Sequence, residues 1–456
     1  MQKSQKVHFI AIGGSVMHNL AIVLKEKGYH VTGSDDDIFE PSSSRLKNAG
    51  ILPENTGWYP EKITQDLDAV ILGMHAKVDN PELLKAQELN LKVYSYPEYI
   101  YEQSKDKQRI VIAGSHGKTT ITSIILHVLK YHNREFDYLV GAQIEGFKTM
   151  VKLSDAPIII IEGDEYLTSP LDRTPKFLKY HHHIGLVSGI EWDHINVFPT
   201  IEDYVKQFDY FADATPKAGT LIYCEEDSMA TVVCSKERED VQRIEYKEYP
   251  SKIEDGETFL ITPSGDIPVQ IFGKHNMQNL SGAKEVLKKI GITNKGFYKA
   301  ITSFKGAANR LQLLNKKAGS AVYKDFAHAP SKLAATTRAL KEQHKDRKLV
   351  ACLELHTFSS LNKTFLTQYQ GTFNKADIAI VYYSPKTLVL KNLESFSVAD
   401  VKLAFNREDL MVFTDIIELK QYLLSLEWNQ KNLLLMSSGK FDGLDLKALS
   451  DEIVKL

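Results

Sequence analysis

The sequence predicts an α/β protein of three domains, on three observations. The chain has 456 residues, too many for one ordinary core and enough for two or three. A branched apolar run, then glycines, then a helical pattern occurs twice, at residues 6–28 and 109–130. Beyond residue 307, five short apolar runs alternate with helical patterns, as in a parallel sheet covered on both faces.

In order along the chain, KVHFIAI (6–12) reads as a first strand. Gly13 and Gly14 turn it into a helix that runs through Leu20, Ile22, Val23 and Leu24 to Gly28. The next strand, YHVTGSD, ends at Asp35, giving the β-turn-α-β opening of a Rossmann-like domain. DAVILG (68–73) and KVYSYP (92–97) read as further strands, and EQSKDKQ (102–108) as a linker. The second unit opens with RIVIAGSHGKTTITSIILHVL. Strands are expected at PIIIIEGDE (157–165) and IGLVSGIEWDH (184–194), and an amphipathic helix from Ile201 to Phe211. Residues 224–272 are poorly periodic and are expected to be irregular or antiparallel. In the third unit AVYKDF, KLVACLEL, DIAIVYY, LMVFTD and NLLLMSSG are the strands, with helical patterns at 331–343, 362–371 and 416–426. They predict a second Rossmann-like domain.

Composition narrows the function. The formal net charge is -2, so no long-range field favours nucleic acid, and no basic run marks a membrane-binding patch. No segment approaches the ~18 apolar residues that span a bilayer. MQKSQKVHFIAIGG reads as a strand and not as a signal peptide. Cys224, Cys234 and Cys352 form no CxxC pair, which suits a reducing cytosol and predicts a cytoplasmic protein.

AGSHGKTT (113–120) is the strongest motif. Gly114 and Gly117 let the backbone turn so that the N–H groups of Gly114, Ser115, His116, Gly117, Lys118, Thr119 and Thr120 can face phosphate. The helix starting near Lys118 adds the positive end of its dipole. Lys118 can neutralise β- and γ-phosphate charge and the Thr119 hydroxyl can bind Mg²⁺, which makes the central domain P-loop ATPase-like. A standard P-loop has four residues between its glycines; here there are two. IEGDEY (161–166) puts carboxylates at a strand's C-terminal end, where hard oxygen ligands suit Mg²⁺; Asp164 and Glu165 there could equally be solvated. IEWDH puts His194 at the end of the next strand. His181, His182 and His183 cannot close on one ion, because neighbours on a strand point to opposite faces; they read as a partly exposed loop or strand edge.

GSHGKTT resembles the GTHGKTT loop of the Mur ligases, in particular the branch acting on UDP-N-acetylmuramic acid. The resemblance covers essentially the whole chain. It implies an ATP- and Mg²⁺-dependent carboxylate–amine ligase with a UDP-substrate-binding domain (1–104), a central ATP-binding domain (105–306) and a C-terminal domain for the amine substrate (307–456). Glu162 resembles the family's metal-binding glutamate, and His194 the histidine of a second metal ion. GKHNMQNLSGA (273–283) resembles GxHNxxNxxxA, which implies adenine contacts for Asn276 and Asn279, although an asparagine there could also cap the helix. GAANRLQ (306–312) resembles the boundary segment GxxxRLE, so Arg310 would reach the γ-phosphate. VYKDFAHAPSKL resembles VYDDFAHHPT. Asp325 would contact the ATP ribose or hold a closed state, and His328 would help position substrates; Ala329 stands where the family has a second histidine. Gly13, Gly14, Ser15 and Met17 resemble the GIGGxxM turn that carries the UDP diphosphate, and Asp35 could reach the uridine or cap the next loop.

IEGDEYLTSPLDRTPKF is similar to the EADEYDTAFFDKRSKF of family members that recycle an intact peptide, through Tyr166, Asp172, Arg173, Lys176 and Phe177. The expected substrates are therefore UDP-N-acetylmuramic acid and L-alanyl-γ-D-glutamyl-meso-diaminopimelate, with L-alanine as the alternative amine. ELHTFSSLN (354–362) stands where those members show EPRSNT; the arginine is absent, and His356 or Thr357 replaces it on the amino-substrate side. A non-catalytic nucleotide-binding relative and an NAD-dependent oxidoreductase are the readings from other classes. Intact Lys118, Thr119, Glu162 and His194 oppose the first, and GSHGKTT opposes the second. A monomer or weak homodimer is expected.

Overall fold

The computed structural model describes residues 5–144, 146–194 and 197–455. It divides into two compact units, one formed by 1–192, 201–246 and 285–290, the other by 193–200, 247–284 and 291–456.

The first unit holds two sheets. In the four-stranded sheet the order is His30–Ser34, Lys6–Ile10, Ala69–Leu72, Val93–Ser95, all parallel. The first strand is shorter than KVHFIAI because Ala11 adopts a left-handed φ of 67° and turns the chain before the glycines. KVYSYP is only half strand. Ser95 caps the helix Tyr96–Glu102 in a capping box with Glu98, and Pro97 sits in the first turn.

The seven-stranded sheet runs Gln242–Tyr246, Thr220–Cys224, Ile184–Val187, Gln108–Ala113, Ile158–Glu162, Asp137–Leu139, Val151–Lys152, parallel except for the last pair. Its central strands are continuous apolar runs because helices cover both faces. Ile110, Val111, Ile112, Ile159, Ile160 and Ile161 are all fully buried. Helix Lys118–Tyr131 packs Ile121, Ile124, Ile125 and Val128 against this core. Gln108–Ala113 lies between Ile158–Glu162 and Ile184–Val187; the strands up to Ile158–Glu162 fall on one side of it and those from Ile184–Val187 onward on the other, so the winding reverses there and a crevice opens at the strands' carboxyl ends. Ile184–Val187 ends early, and His194 lies seven residues beyond it instead of at a strand end (194 − 187). His182 is not at an exposed edge either: it is buried, stacked on Phe211 and hydrogen-bonded to Thr215 Oγ1 at 2.9 Å.

The second unit holds a three-stranded antiparallel sheet, Ser251–Glu254, Glu257–Thr262 and Gly265–Val269, and a six-stranded sheet. The latter runs Gln312–Lys317, Ser320–Asp325, Lys431–Met436, Lys348–Leu355, Ile378–Tyr383, Met411–Phe413. All five expected strands are present and mutually parallel; the sixth, Gln312–Lys317, adds an antiparallel edge. Alternate residues feed two cores: Ala351 and Leu353 pack with Tyr369, while Val350 and Cys352 pack with Trp428. Among the described residues no helix is long and apolar enough to cross a membrane.

Candidate active site

The loop after Gln108–Ala113 is shaped by its glycines. Gly114 has φ 127° and Gly117 φ 80°, and a Cβ on Gly114 would lie 2.1 Å from Ser188 Oγ. The loop is tied to the neighbouring strand's end: Ser115 N donates to Gly189 O (2.9 Å) and Glu191 N donates to Ser115 Oγ (2.8 Å). Ser188 Oγ donates to the carbonyl of His116, and His116 Nε2 lies 2.6 Å from Glu191 Oε2. Gly117 caps helix Lys118–Tyr131, so the helix N-terminus opens into the same crevice.

Lys118 Nζ donates to Gly114 O (2.5 Å) and to Glu165 Oε2 (2.6 Å). Burial alone would pull its pKa down. The carboxylates of Glu165, Asp164 and Glu162 outweigh that and hold it above the ordinary lysine range, so the ammonium is charged. Thr119 Oγ1 donates to Glu162 Oε1 (2.7 Å), and Glu162 Oε2 accepts from Gly141 N (2.9 Å). Hydroxyl and carboxylate give an all-oxygen donor set with hard ligands, which fits Mg²⁺. Glu165 is not solvated: it is buried, and its Oε1 accepts from Tyr204 Oη (3.3 Å). Asp164 instead pairs with Lys176 Nζ at 2.5 Å.

In the second unit, Asp325 is fully committed to backbone. Its Oδ2 accepts from Leu311 N and its Oδ1 from Ala327 N, both at 2.6 Å. Asp325 therefore braces the segment 309–311, where Asn309 (φ 57°) and Leu311 (φ 44°) are both left-handed. Arg310 lies over the Phe326 ring, 4.7 Å from its centroid. His328 Nδ1 donates to Phe326 O (2.8 Å). Burial, then Lys332, lowers the His328 pKa to about 4, so it is neutral at pH 7. Asp193 pairs with Lys332 at 3.8 Å, while His194 has a left-handed φ of 56°. Asn276 is not a helix cap: it lies inside helix Lys274–Lys289, and its amide donates to Phe272 O (2.9 Å). Asn279 lies one turn on and reaches Asn276 Oδ1 at 3.5 Å. At the end of Lys348–Leu355 the His356 ring packs on Gly439, with Nδ1 3.9 Å from Glu354 Oε1.

In the four-stranded sheet, Gly13 N donates to Asp35 Oδ2 (2.7 Å) and Asp36 N to Asp35 Oδ1 (3.0 Å). A Cβ on Gly13 would come within 2.9 Å of that carboxylate. Asp35 thus closes the glycine turn from which helix Ser15–Glu26 begins; Met17 is buried behind it.

Comparison with known proteins gives the lineage. The profile described as "Mur ligase middle domain" matches residues 112–287, and "Mur ligase family, catalytic domain" matches 6–108. UDP-N-acetylmuramate–L-alanine ligase of Carboxydothermus hydrogenoformans is 30% identical over 370 residues, covering 79% of this chain and 78% of that protein. The chain belongs to the Mur ligase family. A second Mur ligase, UDP-N-acetylmuramate–L-alanyl-gamma-D-glutamyl-meso-2,6-diaminoheptandioate ligase of Haemophilus influenzae, is 28% identical over 460 residues, 97% of this chain and 98% of its own. The fold is also that of a murein peptide ligase from Psychrobacter arcticus (TM-score 0.67, 21% identity, 99% of each chain). It is shared too by UDP-N-acetylmuramate–alanine ligase of Thermotoga maritima (TM-score 0.72, 18% identity, 99% of this chain and 98% of that one).

Mur ligases are ATP-dependent amide-bond ligases, and this chain is one. Around the Mur ligase loop the structure adds residues that motif reading missed. Ser188, Gly141 and Tyr204 were not singled out as site residues, and they reach His116, Glu162 and Glu165 respectively only through the fold. Glu165 did carry a signal, since it follows an apolar strand in IEGDEY, but sequence could not separate a buried carboxylate from a solvated one.

Proposed function

We propose that this Mur ligase joins the lactyl carboxylate of UDP-N-acetylmuramic acid to the amine of L-alanyl-γ-D-glutamyl-meso-diaminopimelate. A carboxylate oxygen attacks the γ-phosphorus of ATP, the bond to the bridging oxygen breaks and ADP leaves. The neutral amine then attacks the acyl carbon, the nitrogen loses a proton and phosphate departs. Lys118 and Arg310 offset charge on the transferring phosphoryl group. Thr119 and Glu162 would hold one Mg²⁺ and His194 would serve a second, and when bound these ions supply further positive charge at the phosphates. Asn276 and Asn279 serve the adenine, while Gly13, Gly14, Ser15 and Met17 serve the UDP diphosphate with Asp35 bracing their turn. His328 and His356 face the amine side. The division into domains 1–104, 105–306 and 307–456 is part of this reading. Water has to be kept from the acyl phosphate, so closure over the bound substrates is expected.

The observation that carries the reading is the charged Lys118 held against the glycine loop beside the Thr119–Glu162 pair, at the sheet's switch point. The peptide is favoured by the segment that resembles peptide-recycling members, which is ordered through Lys176–Asp164 and Lys179–Asp172 ion pairs. L-alanine is the second reading, favoured by the 30% identity to an L-alanine ligase. Phosphate release with ATP, Mg²⁺ and UDP-N-acetylmuramic acid separates the two. The tripeptide should give the higher kcat/KM; a higher value with L-alanine would assign the second reading.

A further inference from the structure

Tyr204 lies in helix Ile201–Asp213, outside the motifs, yet its side chain is fully buried beside the phosphate loop. Its ring meets Phe208 edge-on, with centroids 5.3 Å apart. Its hydroxyl is 2.8 Å from Ser115 Oγ and 3.3 Å from Glu165 Oε1. The directions of these bonds are fixed by chemistry. An ionised carboxylate only accepts, so the single Tyr204 proton goes to Glu165. Ser115 must then donate to Tyr204, while its own oxygen accepts from Glu191 N at 2.8 Å. The bonds run one way, from Glu191 N–H through Ser115 and Tyr204 to Glu165, which in turn holds Lys118 at 2.6 Å.

We propose that Tyr204 is a positioning residue whose hydroxyl keeps Glu165 satisfied while nucleotide phosphates compete with that carboxylate for Lys118. This rests on reading residues 113–120 as the ATP phosphate loop. A phosphate beside Lys118 competes with Glu165 for the ammonium's charge, so the pairing with Glu165 weakens even where its hydrogen bond is kept. A carboxylate that is only 2% exposed loses part of a strong interaction when its ammonium partner is shared with another anion. A donor that stays on Glu165 throughout lowers that penalty, and Tyr204 stays because its ring is locked in the core. The phenylalanine variant removes the donor and leaves the ring packing in place.

Calorimetric titration of the full chain with MgATP, without acceptor substrates, tests this. For Tyr204→Phe the Kd should rise about tenfold, the loss expected of one hydrogen bond to a charged group, with affinity for UDP-N-acetylmuramic acid unchanged. In a Glu165→Gln background, where the acceptor is uncharged, the same change should alter the Kd by less than about twofold. An unchanged Kd in Tyr204→Phe, or an equal effect in both backgrounds, would overturn the role of Tyr204. Lys118→Ala is titrated in parallel. If it binds MgATP as the parent does, the phosphate-loop reading itself fails; if it loses binding while Tyr204→Phe does not, only the inference about Tyr204 falls.

Discussion

Lys118 faces three carboxylates in a space that excludes most water, and its protonation is set by them. Replacing it with alanine leaves Glu165 buried without its ammonium partner and the phosphates without a cation. Lys118→Ala should lower ATP-dependent ligation by more than ~10³-fold, measured as phosphate release; a variant that kept full turnover would remove Lys118 from the mechanism. Asp35 offers a test by pH. Burial raises its carboxyl from 3.8 to about 6, against the Gly13 N–H bond that lowers it. The ionised form is thus the costly one: stability present below the unfolded value is lost as pH rises through about 6. Asp35→Asn should lack this dependence, so its denaturant midpoint should gain on the parent's between pH 4 and pH 6, by a difference of about 2 kcal/mol. At this scale the motifs pointed to residues that lie together: Thr119 bonds Glu162, whose charge also acts on Lys118. Asp325 was singled out by its motif, but its commitment to the backbone of Leu311 and Ala327 depends on a linker conformation that sequence does not encode locally.

At the scale of elements, strand–turn–helix order was readable because burial on both faces writes continuous apolar runs and glycines mark the turns. Boundaries were harder. The helix Tyr96–Glu102 was hidden in a strand-like run although Ser95 and Glu98 carried the capping-box spacing. The edge strand Gln312–Lys317 is polar and only its Gly319 hairpin turn, with φ 83°, marked it. The phosphate loop is the element where geometry is strictest. Gly114→Ala would place a Cβ 2.1 Å from Ser188 Oγ at a φ of 127° that L-residues avoid. We expect a loss of about 2 kcal/mol in stability together with a loss of MgATP affinity. Gly114→Ala with Ser188→Ala should recover part of the stability, because the clash with the hydroxyl goes while the backbone strain stays. Urea unfolding of the two variants checks this, and an unstrained single variant would contradict the loop geometry.

For the whole molecule, the multi-domain α/β plan was legible because apolar strand, turn and helix recur along the chain, and membership of the Mur ligase family agrees with it. The amine substrate was not legible, since His356 or Thr357 stands where the resembling members have arginine and specificity resides in such single positions. Nucleotide binding should be visible in global stability. At MgATP about 100-fold above its Kd, the thermal midpoint should rise by about 2–4 °C, and Lys118→Ala should show no such rise. The most direct measurement is a crystal structure of the full chain grown with Mg²⁺ and a non-hydrolysable ATP analogue. The β- and γ-phosphates should lie against the backbone N–H groups of residues 114–119, Lys118 should reach toward them, and a cation should sit at Thr119 and Glu162. An analogue bound elsewhere, with Lys118 paired to Glu165 alone, would contradict the account.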